Sequence, residues 1–176
     1  MITQPVLTLA DATMRGVHRS FVTGVTVVTT TDQDTPKGLA VNAFTSISLD
    51  PPLVMVCVQQ SSATHDPLLH STHLGIDILA ADQRSTAAVF ASKAADKFAT
   101  IGWERAEHGT PVLTGTCAWM EAEICQRLDF GTHTAFIARV VNADHSDRPA
   151  LVYRAGEFFD GSDLSCAQHP SITSEQ

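Results

Sequence analysis

Residues 40–62, AVNAFTSISLDPPLVMVCVQQSS, hold two different strand patterns separated by a pair of prolines. In the first, Val41, Ala43, Thr45, Ile47 and Leu49 fall on one side of an extended chain, and Asn42, Phe44, Ser46 and Ser48 on the other. One side is greasy and the other is neutral and hydrogen-bonding. Pro51 and Pro52 cannot continue a paired strand, so the chain turns there. Leu53 to Val58 then supplies six apolar residues in succession, which reads as a strand covered on both faces. Gln59, Gln60, Ser61, Ser62 and Thr64 crowd uncharged polar groups at its exit. A face of amide and hydroxyl groups beside a buried strand suits a ligand that is planar, polar at its edge and phosphorylated at one end. A solvent-facing strand of ordinary Ser and Thr content carries the same pattern.

The rest of the chain adds more strands than helices. Residues 1–8 carry no periodicity and are expected to fray. From Leu9, apolar Met14, Val17 and Phe21 recur at spacings of three and four behind Asp11, which predicts a short amphipathic helix covering one end of a sheet. Thr23–Thr31 is rich in β-branched residues and predicts a strand. TDQDTPKG follows as a turn punctuated by Pro36 and Gly38, and residues 39–48 complete a hairpin. Asp66 before Pro67 starts a short helix, Leu74–Leu79 alternates as a strand, and a second helix runs from Asp82 to about Lys93. Residues 94–101 read as a further helical turn or two. Residues 102–116 form a long excursion of the kind that often acts as a lid. Strands are expected at 117–128, 132–142, 150–153 and 157–159, with Gly156 at the last turn. Many strands without regular βα alternation predict one domain, mainly β, built as an antiparallel barrel with short helical additions. Its core spans about residues 11–160, and residues 162–176 form a peripheral tail.

A chain of 176 residues with 44% apolar content can bury one core. A formal charge of −8 excludes a basic surface for nucleic acid. With only Lys37, Lys93 and Lys97 as lysines, a bound phosphate must rely on hydroxyls, backbone N–H groups and a few placed cations. No apolar run approaches the roughly 20 residues of a membrane span, and a cytoplasmic location is expected. Cys57, Cys117, Cys125 and Cys166 form no CxxC pair and are expected to be reduced, without zinc or redox roles. His70 and His73 stand three apart, as helical metal ligands can, but with Gly75 close behind a solvated helix end fits better and no metal is expected.

The segments FVTGVTVVTT (21–30), AVNAFTSISLDPPLVMVC (40–57), SSAT (61–64), FASK and DKF (90–93, 96–98), GTHTAFIARV (131–140) and LVYRAGEF (151–158) resemble the flavin reductase family, the small component of two-component flavin-dependent monooxygenases. They follow the family's order across nearly the whole chain. The resemblance implies an FMN-binding, Greek-key split β-barrel that pairs as a homodimer. It further implies an NAD(P)H:flavin oxidoreductase that reduces FMN or FAD with NADH or NADPH and passes reduced flavin to a partner monooxygenase. By position, the flavin ring edge would meet Asn42, Ala43, Thr45, Ser46, Ser48, Cys57, Val58 and Gln59. Its phosphate would meet Ser62, Thr64, Ser92 and Lys93, and Gly38, Ala40, Ala63 and Phe90 belong to the same implied cofactor-binding set. His133 would lie beside the nicotinamide as the catalytic residue, in Gly131-Thr132-His133 where the family usually has Gly-Asp-His; that departure removes a charge able to orient the ring. Tyr153 and Arg154 would stand near the nicotinamide nucleotide.

The absence of GxGxxG and GxxxxGK excludes a conventional Rossmann unit or triphosphate loop. Hydride transfer between two stacked rings needs no nucleophile and no acid–base pair, in keeping with a chain that shows no Ser-His-Asp arrangement. Two other readings stay open from the residues: a split-barrel flavin oxidase that retains FMN, which would want more clustered Arg and Lys than eight dispersed arginines supply, and a barrel that only carries a flat ligand.

Overall fold

The computed structural model describes residues 11–164. The expected fraying start, most of the expected tail and Cys166 lie outside the described residues. Helix α1 (Asp11–Arg19) leads into β1 (Thr23–Gly24), β2 (Thr26–Asp32), β3 (Thr35–Val41), β4 (Phe44–Leu49) and β5 (Pro52–Gln59). Then come α2 (His65–His70), β6 (His73–Ile78) and α3 (Arg84–Ala91), followed by β7 (Trp103–Arg105) and β8 (Pro111–Leu113). The long strands β9 (Ala118–Phe130) and β10 (His133–His145) precede β11 (Leu151–Arg154), β12 (Glu157–Asp160) and a closing 3-10 turn.

Seven strands make one sheet in the order β3-β2-β6-β9-β10-β5-β4, with every neighbouring pair antiparallel. The β9–β10 hairpin is inserted between β6 and β5 and so joins the two halves of the chain. Leu39 and Val41 on one edge strand share a buried cluster with Val54, Val56 and Val58 near the other edge, together with Val28, Ile76, Ile124 and Phe136. The sheet therefore curls around its own core, giving the mainly β split-barrel fold. Burying each such side chain contributes roughly 1.5–3 kcal/mol. On the opposite face of β2, Val27 packs with Leu79, Ala87, Phe90, Phe98, Leu113 and Leu151, so α3 and the aromatic segment after it cover the outside.

Several local expectations change. The single strand expected at 23–31 breaks at Val25, so that β1 pairs with β11 while β2 pairs with β3 and β6. The β2–β3 turn is at Gln33 and Asp34, both at positive φ, and Pro36 and Gly38 lie within β3. A proline is tolerated there because β3 is a sheet edge and its missing N–H costs no ladder bond. Residues 94–101 form no helix: Asp96 accepts from the N–H groups of Phe98 and Ala99 and holds a tight turn instead. The last hairpin turns at Ala155 and Gly156, both at positive φ, the geometry its strand twist requires.

The opening stretch is also reorganised. The strand expected through 39–48 is interrupted at Asn42 and Ala43, and a bulge between Ser46 and Ser48 inserts Ile47 as an extra residue. The faces have already reversed at the break, where Phe44 packs on the core and Thr45 is exposed, and Ile47 and Leu49 are exposed rather than buried. In β5, Val54, Val56 and Val58 are buried, while Leu53, Met55 and Cys57 on the other face are only half-covered. One face, not two, is in the core. Helix α1 leaves Val17 exposed, and Phe21 just beyond it is exposed too, so the expected apolar stripe is not buried.

Candidate functional site

The interruption at Asn42–Ala43 is where the fold opens a cavity. Its volume is about 800 Å³, and its lining comes from four separate parts of the chain: residues 39–43, Cys57 with 59 and 61–64, 90–94 with Lys97, and His133. Cys57 N–H donates to the Ala43 carbonyl (3.0 Å), which ties the break to β5. In register, Gln59 lies opposite His133 across the β5–β10 pair. The turn after β5 is held by Ser62 N–H to the Gln59 carbonyl (2.9 Å), His65 N–H to the Ser62 carbonyl (3.0 Å) and Thr64 N–H to Ser62 Oγ (3.2 Å).

Of the expected site residues, Ala40, Asn42, Ala43, Cys57, Gln59, Ser62, Ala63, Thr64, Phe90, Ser92, Lys93 and His133 line this one cavity. Thr45, Ser46 and Ser48 do not: they sit on β4 past the break, where Thr45 Oγ1 donates to the Ser46 carbonyl and Ser48 Oγ accepts from Asp50 N–H. Val58 is fully buried and points into the core, because its neighbours Cys57 and Gln59 take the cavity face. Gly38 is not in the lining. Its carbonyl accepts from Lys97 Nζ at 3.3 Å, and its missing side chain makes room for Phe90.

Lys97 was not among the expected residues, although the DKF run that contains it was. It lines the cavity and also donates to the Phe90 carbonyl at 2.9 Å, and burial lowers its pKa from the ordinary lysine value. Leu39, Val41, Ser61, Ala91 and Ala94 join the lining too. Only the lysine carried a signal in the sequence, as one of three.

A second cavity of about 780 Å³ shares Asn42 and Ala43 with the first and is otherwise lined by α1 and its exit (17–21), Thr23, Tyr153 and Ala155. The Tyr153 ring packs on Phe158 at 5.6 Å. Arg154 is exposed and lines neither cavity. His133 is exposed, with Nδ1 3.0 Å from the Thr132 hydroxyl, so the threonine occupies the orienting position.

The excursion at 102–116 is fastened away from both cavities. It contains the β7–β8 hairpin and crosses the outside of β2, β6 and β9, where Thr29 and Thr31 hydroxyls donate to the Pro111 and Gly109 carbonyls. Two buried carboxylates receive it. Asp77 accepts from Leu113 N–H (2.8 Å), and burial raises its pKa well above the usual carboxylate range. Burial also pushes Glu121 up, but hydrogen bonds from His108 and Thr110 outweigh it and leave the carboxyl below its ordinary value. The loop is a strap and not a lid. His70 ends α2 while His73 begins β6 and stacks on His108 at 4.6 Å, so the two histidines do not share a helix face. Cys57, Cys117 and Cys125 are free thiols. No helix among the described residues is long and apolar enough to cross a membrane.

Residues 18–162 match the model of the flavin reductase like domain. The chain is 39% identical over 144 residues to the FMN reductase (NADH) SmoA of Agrobacterium fabrum, covering 82% of each. It is 36% identical over 147 residues to the reductase component of the flavin-dependent trigonelline monooxygenase of Acinetobacter baylyi, where it spans only 47% of that protein's length. Among solved structures, the Streptomyces globisporus NADH:FAD oxidoreductase SgcE6, in complex with NAD and FAD fragments, superposes with a TM-score of 0.80 at 31% identity, covering 96% of this chain and 99% of that one. The match over residues 18–162, on a curled antiparallel sheet with a cavity lined by amides, hydroxyls and two lysines, means that this chain belongs to the flavin reductase like domain family.

Proposed function

We propose that this chain is an NAD(P)H:flavin oxidoreductase that takes FMN or FAD into the larger cavity, reduces it by direct hydride transfer and releases it to a partner monooxygenase. The observation that carries this reading is the composition of the cavity wall. Asn42, Gln59, Ser61, Ser62 and Thr64 supply uncharged donors and acceptors, and two of the chain's three lysines, Lys93 and Lys97, stand on the α3 side. A volume near 800 Å³ suits a small-molecule site.

These residues fit a flavin. The amides of Asn42 and Gln59 match the polar edge of an isoalloxazine, and the hydroxyls of Ser62, Thr64 and Ser92 with the two ammonium groups match a phosphate in a chain of charge −8. When bound, the flavin supplies the hydride acceptor. Thr132 engages the His133 ring at Nδ1, and the ring lines the flavin cavity. The cavity shared with Tyr153 through Asn42 and Ala43 offers the nicotinamide a place next to the first. Free thiols and a nicotinamide requirement accord with work in the cytoplasm.

A homodimer belongs to the same reading. Met55, Cys57, Ile137 and Leu128 share the outward face of β5, β10 and β9 by register, and Phe130 is 66% exposed beyond them. Cys57 also lines the cavity, so a second copy seated on this face would border the site. Light scattering that returns a monomer at micromolar concentration would remove the dimer. The activity is tested by crossing NADH and NADPH with FMN, FAD and riboflavin in steady state. Flavin-dependent nicotinamide oxidation is expected, and its absence with both nicotinamides overturns the reading.

A further inference from the structure

We propose that His65, Thr134 and Asp129 form a hydrogen-bonded brace that positions Ser62 and Thr64 relative to His133, and thereby sets how strongly the site prefers phosphorylated flavins over riboflavin. The proposal rests on the phosphate assignment above and goes beyond it, since none of the three residues lines the cavity.

The brace is directional. Thr134 Oγ1 lies 2.6 Å from Asp129 Oδ1 and 2.8 Å from His65 Nε2. A carboxylate oxygen accepts and cannot donate, so the one hydroxyl proton of Thr134 points to Asp129. The Thr134 oxygen must then accept from His65, which places a proton on Nε2 of that ring. The chain of donors runs His65 to Thr134 to Asp129, with no freedom to reverse.

Its surroundings hold it still. Thr134 is 0% exposed, between Phe136 on its own strand and Val58 across the sheet. His65 is 9% exposed, with its ring edge-on to Phe136 at 6.2 Å. Packing alone would be served as well by valine at 134. A hydroxyl buried there is favourable only because both of its bonds are made.

The position of the brace in the chain makes it a link between two parts of the site. His65 follows Thr64 directly, and its own N–H closes the turn on the Ser62 carbonyl. Thr134 follows His133, and strand alternation sends His133 to the cavity and Thr134 to the core. A second tie, Gln60 N–H to the Thr132 carbonyl at 3.0 Å, brackets the same turn from its other end. The Ser62–Thr64 turn is thus clamped to the start of β10, and its hydroxyls keep a set distance from His133. The three are positioning residues; none touches a ligand.

The test compares kcat and KM for FMN and riboflavin with NADH in wild type, Thr134→Val, Thr134→Ser and Asp129→Ala. Thr134→Val should lower the FMN-over-riboflavin ratio of kcat/KM by roughly fivefold to tenfold, through the KM for FMN, as expected for loss of one buried hydrogen-bonded link. Thr134→Ser should restore the ratio. Asp129→Ala, at the exposed end where folding is not at risk, should shift it in the same direction by about twofold. General destabilisation would slow both flavins alike and leave the ratio where it was. If wild type prefers FMN and both Thr134→Val and Asp129→Ala prefer it equally, the brace is wrong and the phosphate assignment stands. If wild type reduces riboflavin as well as FMN, the phosphate assignment falls and the brace with it.

Discussion

Replacing Gly38 with alanine puts a methyl group where the packing has no room for one. An added Cβ would stand 2.8 Å from Cε1 and 3.2 Å from Cδ1 of Phe90, and 3.3 Å from Cζ of Phe98. Carbon atoms at ease lie about 3.5–4.0 Å apart, so the Phe90 ring must retreat by roughly 0.7–1 Å. It has nowhere easy to go. Phe90 is buried, Phe98 meets it edge-on at 5.0 Å, and Trp103 meets Phe98 in turn at 5.7 Å. Overpacking of this kind costs about 1–3 kcal/mol, and the chain entropy recovered by removing a glycine offsets about 0.5–1 kcal/mol. The net loss of about 0.5–2 kcal/mol corresponds to a Tm lower by roughly 1–8 °C for a chain of this size.

The strain also falls on the site. Phe90 is followed by Ser92 and Lys93, and the Gly38 carbonyl is one of the two acceptors that hold Lys97. Thermal unfolding should therefore show the lower Tm, and steady-state kinetics should show a raised KM for FMN. Phe90→Leu in the same background should recover part of both, since a smaller side chain vacates the contested volume. A Gly38→Ala protein as stable as wild type, with an unaltered KM for FMN, would refute the packing account.

Gly75→Ala should be more damaging, by about 2–4 kcal/mol in urea denaturation. Its methyl would overlap the Thr29 hydroxyl and stand 2.9 Å from the Pro111 carbonyl, the two partners of a buried hydrogen bond that fastens the 102–116 strap; a loss under about 1 kcal/mol would show that the strap yields. Asp77→Asn should be stabilising, and increasingly so with pH. The folded chain holds the Asp77 proton more tightly than the unfolded chain, so wild type loses stability as pH rises from about 4 through the raised folded value. Asparagine titrates nowhere in that window and can still accept from Leu113 N–H, so its advantage should be larger at pH 8 than at pH 5, by about 1–3 kcal/mol at pH 8. An advantage that does not change with pH would mean that Asp77 is not the group responsible.

Much of the fold could be read from local pattern. The β-branched run at 23–31, the alternation at 74–79 and the glycine at 156 each mark structure that depends on near neighbours, and each is present at about the expected place. Residues whose position depends on distant partners were harder. The bulge at Ile47 answers to β5 across the pair, not to the residues beside it. Thr45 and Ser48 were expected in the site from the resemblance alone, and both lie on β4 beyond the break at Asn42–Ala43. Lys97 stood out in the sequence only as one of three lysines, and the carbonyls of Gly38 and Phe90 hold its ammonium group beside the cavity. His65 and Thr134 had no local signature at all, since a threonine in a strand and a histidine at a helix start are ordinary in isolation.

The order of residue types along the chain was enough to determine that this protein is built of strands, that uncharged polar residues flank the apolar run Leu53–Val58 on both sides, and that any bound phosphate would have very few cations to draw on. Period and composition are local properties, and a single chain displays them without folding. Which of those polar groups face one another is decided by the tertiary arrangement, in which β9 and β10 lie between β6 and β5 in a curled sheet. That arrangement places residues 42, 62, 97 and 133 at one cavity and residues 45, 48 and 58 elsewhere. Such convergence depends on contacts between segments tens of residues apart, where the free energy comes from shared burial and not from any pattern that one segment carries alone.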